Sequence, residues 1–303
     1  MLSVERLHLR AAFFRAVRSF FHSLGFLEVD TPIRQPVYIP ESNIELLSSE
    51  TYYLQASPEL CMKRLLAHGC ERIFQIGHCF RKGESGRLHL EEFRLLEWYR
   101  TGCDYYQLMT DCEQLVRFIV AFMKDFLPQM ADSFLPGVDL QATWKRLAVV
   151  DAFQLYSPCS LDQALVNDQF EEMLVEYVEP RLGLQSPVFL YEYPAQLASL
   201  ARRSEKNSNI AERFELYIKG IELANGFSEL TDAVEQRHRF SAEIAAIRDK
   251  HGLDAEMPER FLEDLDKLDS AAGIAFGIDR LFMLILDCSS ISSAVTFSPE
   301  DFS

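Results

Sequence analysis

Residues 72–100 read RIFQIGHCFRKGESGRLHLEEFRLLEWYR. Two runs, RIFQIGHCFR and EFRLLEWYR, flank the polar loop KGESGRLHLE, a pattern that predicts a long antiparallel hairpin. Toward the N-terminus, the strand-like TYYLQAS meets Pro58, a good first residue for the helix ELCMKRLLAHG that stops at Gly69. Further back, FLEVDTP alternates like a half-buried strand that Pro32 ends, and residues 5–24 space Leu7, Leu9, Phe13, Val17, Phe20 and Leu24 as one helix before Gly25. Toward the C-terminus, residues 105–127 form an amphipathic helix, and 128–186 read as Pro-bounded loops and short helices. PVFLYEYP is a strand, RFELYIKGIELANGF two strands turning at Lys219-Gly220, residues 232–251 a polar helix, and GIAFGIDRLFMLIL a strand running into a helix. Strands joined by hairpins, with helices before, between and after, predict an α+β fold, an antiparallel sheet flanked by helices. A parallel nucleotide-binding sheet is disfavoured, because neither G-x-G-x-x-G after a strand nor G-x-x-x-x-G-K-[ST] occurs.

The 303 residues carry 46 acidic and 30 basic side chains, a net charge of −16, with 48% hydrophobic content. That is enough apolar material for a large core, and no repeat, linker or low-complexity segment splits the chain, so 1–303 is expected to be a single domain. Overall acidity disfavours a generic nucleic-acid binder. The N-terminus lacks the apolar core of a secretory signal, and the apolar stretch 281–286 is six residues, far below the roughly 20 that span a bilayer. A cytoplasmic protein without a membrane partner is expected. The seven cysteines form no C-x-x-C pair and are expected to be small buried apolar side chains rather than disulfides or zinc ligands.

Three clusters carry chemistry. Residues 63–100 hold eight Lys/Arg against five Glu, a balance of +3, which leaves −19 for the other 265 residues. Cations concentrated on one hairpin suit a triphosphate, because a guanidinium grips phosphate oxygens through paired hydrogen bonds. The second cluster is Glu215, Glu222 and Glu229. A two-residue turn at Lys219-Gly220 pairs Tyr217 with Glu222 and Glu215 with Ala224, putting Glu215 and Glu222 on one sheet face, where oxygen ligands suit Mg²⁺ bridging to phosphates. In the third, GIAFGIDR at 273–280, alternating glycines clear space for a ligand on the strand, Asp279 caps the next helix, and Arg280 sits in its first turn, where an anion is favoured. Taken alone, these clusters also read as a solvated charged hairpin, outward glutamates paired with Lys or Arg, and a glycine pattern for core packing.

Together and in order, F-R-x-x-E, R-x-H, E-F, L-E-W-Y, then E-L-A-N-G-F-x-E-L, then G-x-A-x-G-x-D-R resemble the catalytic core of class II aminoacyl-tRNA synthetases of the lysyl type. GFLEVDTP resembles that class's first motif, which implies a homodimer; the hairpin resembles the second motif and the last segment the third. Only 24 residues precede Gly25, where a lysyl-tRNA synthetase has an anticodon-reading barrel, so no anticodon-binding domain and no tRNA are expected. The chain is most similar to the truncated lysyl-synthetase paralogues that attach (R)-β-lysine to a lysine of elongation factor P, including Ala275 where lysyl-tRNA synthetases usually have glycine.

This resemblance implies an ATP-dependent, AMP-forming ligase with Mg²⁺. Arg81 matches the arginine on the α-phosphate and substrate carboxylate, and Arg280 the arginine on the γ-phosphate. Phe93 would stack on adenine, and His89 would lie near the phosphates. The family's F-R-N-E is here Phe80-Arg81-Lys82-Gly83-Glu84, so Glu84 stands one residue late, and N-P-E-F has become Leu90-Glu91-Glu92-Phe93. Glu222 and Glu229 match positions near Mg²⁺ and substrate, with Glu215 as a third candidate. Ser57, Glu59, Glu97, Tyr99, Asn225, Glu229 and Ala275 match the amino-acid pocket, where two ammonium groups need several carboxylates. The alternatives in view are a fragment that activates α-lysine for another acceptor and an inactive synthetase-like regulator.

Overall fold

The expected hairpin forms, Arg72–Phe80 against Glu92–Thr101, and it is built into an eight-stranded sheet. The computed structural model describes residues 1–302; Ser303, the last residue of the expected domain, lies outside them. In chain order the elements are α1 (Val4–Ser23), β1 (Leu27–Glu28), β2 (Arg34–Gln35), β3 (Ser48–Ser49), β4 (Tyr52–Leu54), α2 (Glu59–Ala67), β5 (Arg72–Phe80) and β6 (Glu92–Thr101). There follow α3 (Tyr105–Phe126), β7 (Lys145–Ala148), α4 (Val149–Tyr156), α5 (Leu161–Val166), α6 (Phe170–Met173), β8 (Val188–Pro194), β9 (Ile210–Ile218) and β10 (Ile221–Ser228). The chain closes with α7 (Ala233–His251), α8 (Glu259–Leu265), β11 (Ala271–Gly277) and α9 (Ile278–Ile285).

The large sheet runs β1-β5-β6-β11-β10-β9-β8-β7, and β2-β4-β3 form a small second sheet. The interior pairings are antiparallel as expected, but the two edges, β1 on β5 and β7 on β8, are parallel, so the sheet is mixed. FLEVDTP contributes only Leu27–Glu28 as a strand. Residues 128–186 are loops and short helical pieces, as expected, but they also hold the edge strand β7, which was not expected; with β8 and β9 they enclose their own apolar cluster around Phe153, Phe170, Tyr193 and Tyr217. No helix among the described residues is long and apolar enough to cross a membrane. All seven cysteines are free; Cys79 and Cys112 are buried and the other five are half-buried.

Period-2 alternation divides the sheet into two chemically different faces. Phe74, Leu96, Trp98, Phe214, Leu216, Ile274 and Phe276 face the main core, where α1, α3 and α9 cover them. Phe21 of α1 stacks on Phe74 with ring centroids 4.7 Å apart, and each such fully buried side chain contributes about 2–3 kcal/mol of transfer free energy. The alternate residues face the other way and form two rows across five interior strands, β5, β6, β11, β10 and β9. One row is Gln75, Glu97, Ala275, Asn225 and Glu215; the other is Ile73, Tyr99, Gly273, Phe227 and Arg213. This second face is mostly polar, and it carries the site.

One register detail departs from expectation. Lys219 and Gly220, both at positive φ, make the two-residue turn and Tyr217 pairs with Glu222, yet Glu215 lies opposite Asn225 rather than Ala224. Leu223 is an extra residue in β10, a bulge, and both it and Ala224 turn into the main core. Without it Asn225 would point into that core; with it, Asn225 joins Glu97 and Ala275 on the polar face.

Candidate active site

A cavity of about 410 Å³ opens on the polar face. Ser57, Glu59, Arg81, Glu84, His89, Phe93, Tyr99, Glu222, Asn225, Ala275 and Arg280 line it, so eleven of the fourteen expected site residues come together there. Glu97 and Glu229 stand directly behind the lining. Glu215 also stands behind the lining, held by Arg213. β11 runs the length of the site: from Gly273 to Gly277 is about 13 Å at strand rise, which separates an acidic end beside Gly273 from a cationic end beside Arg280.

The end beside Gly273 is acidic. Ser57 Oγ donates to Glu97 Oε1 at 2.6 Å and Tyr99 Oη to Glu97 Oε2 at 2.8 Å, which fix a fully buried carboxylate. Glu59, in the first turn of α2, and Glu229, just after β10, both pair with Lys63. Burial and the nearby Glu59 push Glu97 up to about 8, against Ser57, Tyr99 and Lys63. Glu229 also rises to about 8, through burial opposed by Lys63. Glu41, half-buried on the loop before β3 and bonded by Ser199, rises to about 7 through burial and Glu59, with Arg81 opposing. Glu229 Oε1 has no hydrogen-bond partner. Carboxylates held this way are stabilised by incoming positive charge.

The opposite end is cationic. Arg280 donates to Glu222 Oε2 at 3.2 Å, to the Glu222 carbonyl at 2.8 Å, to the Leu88 carbonyl at 3.2 Å and to His89 Nε2 at 2.6 Å. Arginine is donor-only, so His89 accepts as a neutral imidazole, and desolvation and the charge of Arg280 both lower its pKa. Arg81 lies over the Phe93 ring, 5.3 Å from its centroid, and 3.7 Å from Glu84, which faces the cavity despite its late position. Asp279 does not cap α9. It accepts from Arg10 Nη2 at 2.5 Å and from the Arg94 backbone N–H at 2.8 Å, tying the start of α9 to α1 and β6 behind Arg280.

Three readings of the clusters are corrected. Of the eight cations in residues 63–100, only Arg81 and Arg94 line the cavity. Arg64, Lys82 and Arg100 pair with Asp264, Glu45 and Asp111, Arg72 and Arg87 bond backbone carbonyls, and Lys63 serves the acidic end. The three glutamates also do not form one metal site. Glu215 is fully engaged by Tyr193, Tyr217 and Arg213, Glu229 belongs to Lys63, and Glu222 alone lines the cavity. Among the described residues, no group of three His, Cys, Asp or Glu is placed to hold a metal ion. Gly273 makes room for the protein's own Tyr99 and Glu229, not for a ligand.

Arg213 and Glu41 went unremarked in the sequence, and Lys63 was counted only among the cations of residues 63–100. Lys63 is one helical turn after Glu59, a spacing that pairs side chains. Arg213 is two residues before Glu215 and shares its face; it donates to Glu215 Oε1, to Asn225 Oδ1 and to the Leu197 carbonyl. Glu41 sits in a loop and offered no periodic signal.

The profile of the tRNA synthetases class II (D, K and N) matches residues 3–301. The chain is 38% identical over 312 residues to the elongation factor P–(R)-β-lysine ligase of Proteus mirabilis (strain HI4320), covering 97% of this chain and 95% of that protein. It is 35% identical over 315 residues to the protein of the same name from Haemophilus influenzae (strain PittGG), covering 98% and 96%. It is 37% identical over 320 residues to that of Pectobacterium carotovorum subsp. carotovorum (strain PC1), again covering 98% and 96%.

Proposed function

We infer that this chain, which belongs to the class II tRNA synthetases (D, K and N), is a ligase that activates (R)-β-lysine with ATP and transfers it to the ε-amine of a lysine on elongation factor P. The observation that carries the reading is the polarity of the cavity: buried carboxylates at one end, suited to two ammonium groups, and arginines at the other, suited to phosphates. Glu59, Glu97, Tyr99, Asn225 and Glu229 hold the diamino acid, with Ser57 and Ala275 shaping the pocket. Phe93 and Glu84 attend the adenosine, and His89 and Arg280 the outer phosphates.

In the first step the amino-acid carboxylate attacks the α-phosphorus of ATP in line, pyrophosphate leaves, and an aminoacyl-adenylate forms. Arg81 and Arg280 offset charge on the phosphates, so the protein contributes positioning and electrostatics rather than a nucleophile. A Mg²⁺ ion arriving with the nucleotide would offset further phosphate charge, and Glu222 is the carboxylate on the cavity wall that would hold it. In the second step the acceptor ε-amine attacks the adenylate carbonyl and AMP departs. The same reading has residues 1–303 act as one catalytic domain in the cytoplasm, without tRNA. It also has the chain act as a homodimer through the first-motif segment, where Leu27 and Ile33 are exposed.

Intact mass of elongation factor P after incubation with the chain, ATP and (R)-β-lysine tests the reading, and a single β-lysyl increment is expected. ATP–pyrophosphate exchange comparing (R)-β-lysine with α-lysine tests the substrate; faster exchange with α-lysine overturns it. No AMP from either amino acid, beside an active control, favours an inactive regulator.

A further inference from the structure

Lys63 has no part in the steps above, yet it is among the most deeply buried charged groups in the chain, with 1% of its surface exposed. It projects from α2 between Glu59 and Glu229 and pairs with both, while its ammonium lies 5.3 Å from the Phe227 ring centroid and 6.0 Å from that of Phe261. Burying an ammonium carries a desolvation cost of several kcal/mol, and an apolar residue of similar volume is often as good for stability or better. Packing against Phe227 and Phe261 therefore does not call for a lysine here. Both of its partners belong to the amino-acid end of the cavity.

The charges at that end count as follows. Glu59, Glu97 and Glu229, the carboxylates assigned to the diamino acid, bring three negative charges when ionised, and Lys63 returns one, leaving −2. A diamino acid brings two ammonium groups, and its carboxylate points toward Arg81. We propose that Lys63 is a positioning residue that matches the pocket to a dication: it fixes Glu59 and Glu229 in place, and removes the one negative charge that a diamino acid would leave unpaired. The fit is to a substrate class, amino acids with two cationic groups, and it deepens the proposed function while resting on it. Specificity arises because a monocationic amino acid leaves one buried carboxylate charge without a partner.

The test is ATP–pyrophosphate exchange by the full chain and by Lys63→Met, Lys63→Gln and Lys63→Arg. The amino acids are (R)-β-lysine and the same compound with a methyl group replacing its terminal ammonium. Lys63→Met and Lys63→Gln should raise KM for (R)-β-lysine about tenfold or more and lower the preference for it over the analogue by a similar factor, with KM for ATP and kcat changed less than about threefold. Lys63→Arg, which keeps the charge, should retain most of that preference. Should Lys63→Met fail to fold, Lys63→Gln, which keeps polar contacts, decides. An unchanged preference in the uncharged variants overturns the inference. So do equal rises in KM for ATP and amino acid, the outcome of a purely structural role. If the wild-type chain supports no exchange with any diamino acid, the proposed function itself fails; if it does and the variants keep its preference, only the role of Lys63 fails.

Discussion

Tyr99 lies flat against the backbone of Gly273, its cross-strand partner: a Cβ built on Gly273 would fall 2.2 Å from the Tyr99 ring and 2.3 Å from Glu229 Oε1. The missing side chain is thus what lets Tyr99 reach Glu97 and Glu229 reach Lys63. Gly273→Ala is expected to cost about 1–3 kcal/mol by overpacking. It should also displace Tyr99 and Glu229, raising KM for the amino acid by at least tenfold while KM for ATP moves little. Denaturant unfolding and exchange kinetics check the two halves, and near-wild-type kinetics in a folded variant would sink the account.

The Arg10–Asp279 pair is buried, with 8% and 5% of the two side chains exposed. Removing one partner leaves the other charge stranded, at a cost of about 3–5 kcal/mol, whereas replacing both with apolar groups is often neutral. Asp279→Ala is therefore expected to be severely destabilised, and Arg10→Met combined with Asp279→Leu to recover most of the loss. Urea unfolding of the two variants measures this. A double variant no better than the single one would show that Asp279 matters through the Arg94 N–H instead.

The sequence motifs predicted the hairpin, the α+β class and eleven of the cavity's residues, because period-2 alternation and residue chemistry both survive in the linear chain. Lys63 was hidden because its partner Glu229 is 166 positions away and only the sheet brings them together. Cations on the 63–100 segment were overcounted because linear density says nothing about partners: Arg64 and Arg100 meet Asp264 and Asp111. Asp279 had the residue type of a cap, but α9 begins two positions earlier than a cap at 279 requires, and Gly277 takes that place. The β10 bulge could not be read at all, since one extra residue in a strand leaves the local composition unchanged while inverting which residues face the site.

That bulge makes the orientation of Asn225 testable. Arg213 Nε donates to Asn225 Oδ1 at 3.2 Å, so the amide oxygen is taken and the NH₂ group is left as donor toward the cavity. Arg213→Leu releases the amide and also strands Glu215. The expected result is a rise of at least tenfold in KM for the amino acid. Asn225→Asp, which replaces the donor with an acceptor, should reduce kcat/KM more than Asn225→Ala does; the reverse order would contradict this orientation.

Proton linkage gives the last prediction. Glu41 is raised to about 7, and Glu97 and Glu229 to about 8, in each case chiefly by burial. These acids hold protons in the folded chain at pH values where the unfolded chain has lost them. Their contribution to stability is fully present below the ordinary carboxylate pKa, and it is lost as pH rises through about 7 to 8. Without ligand, Tm should accordingly fall from pH 6 to pH 8.5. A dicationic amino acid requires the ionised carboxylates, so its binding releases protons, and affinity should rise over the same interval. Calorimetric titration with (R)-β-lysine in two buffers of different ionisation enthalpy measures the protons released, and thermal melts with and without the ligand measure the rest. A ligand-induced rise in Tm that shrinks as pH increases would contradict the assignment of Glu97 and Glu229 to the cationic substrate.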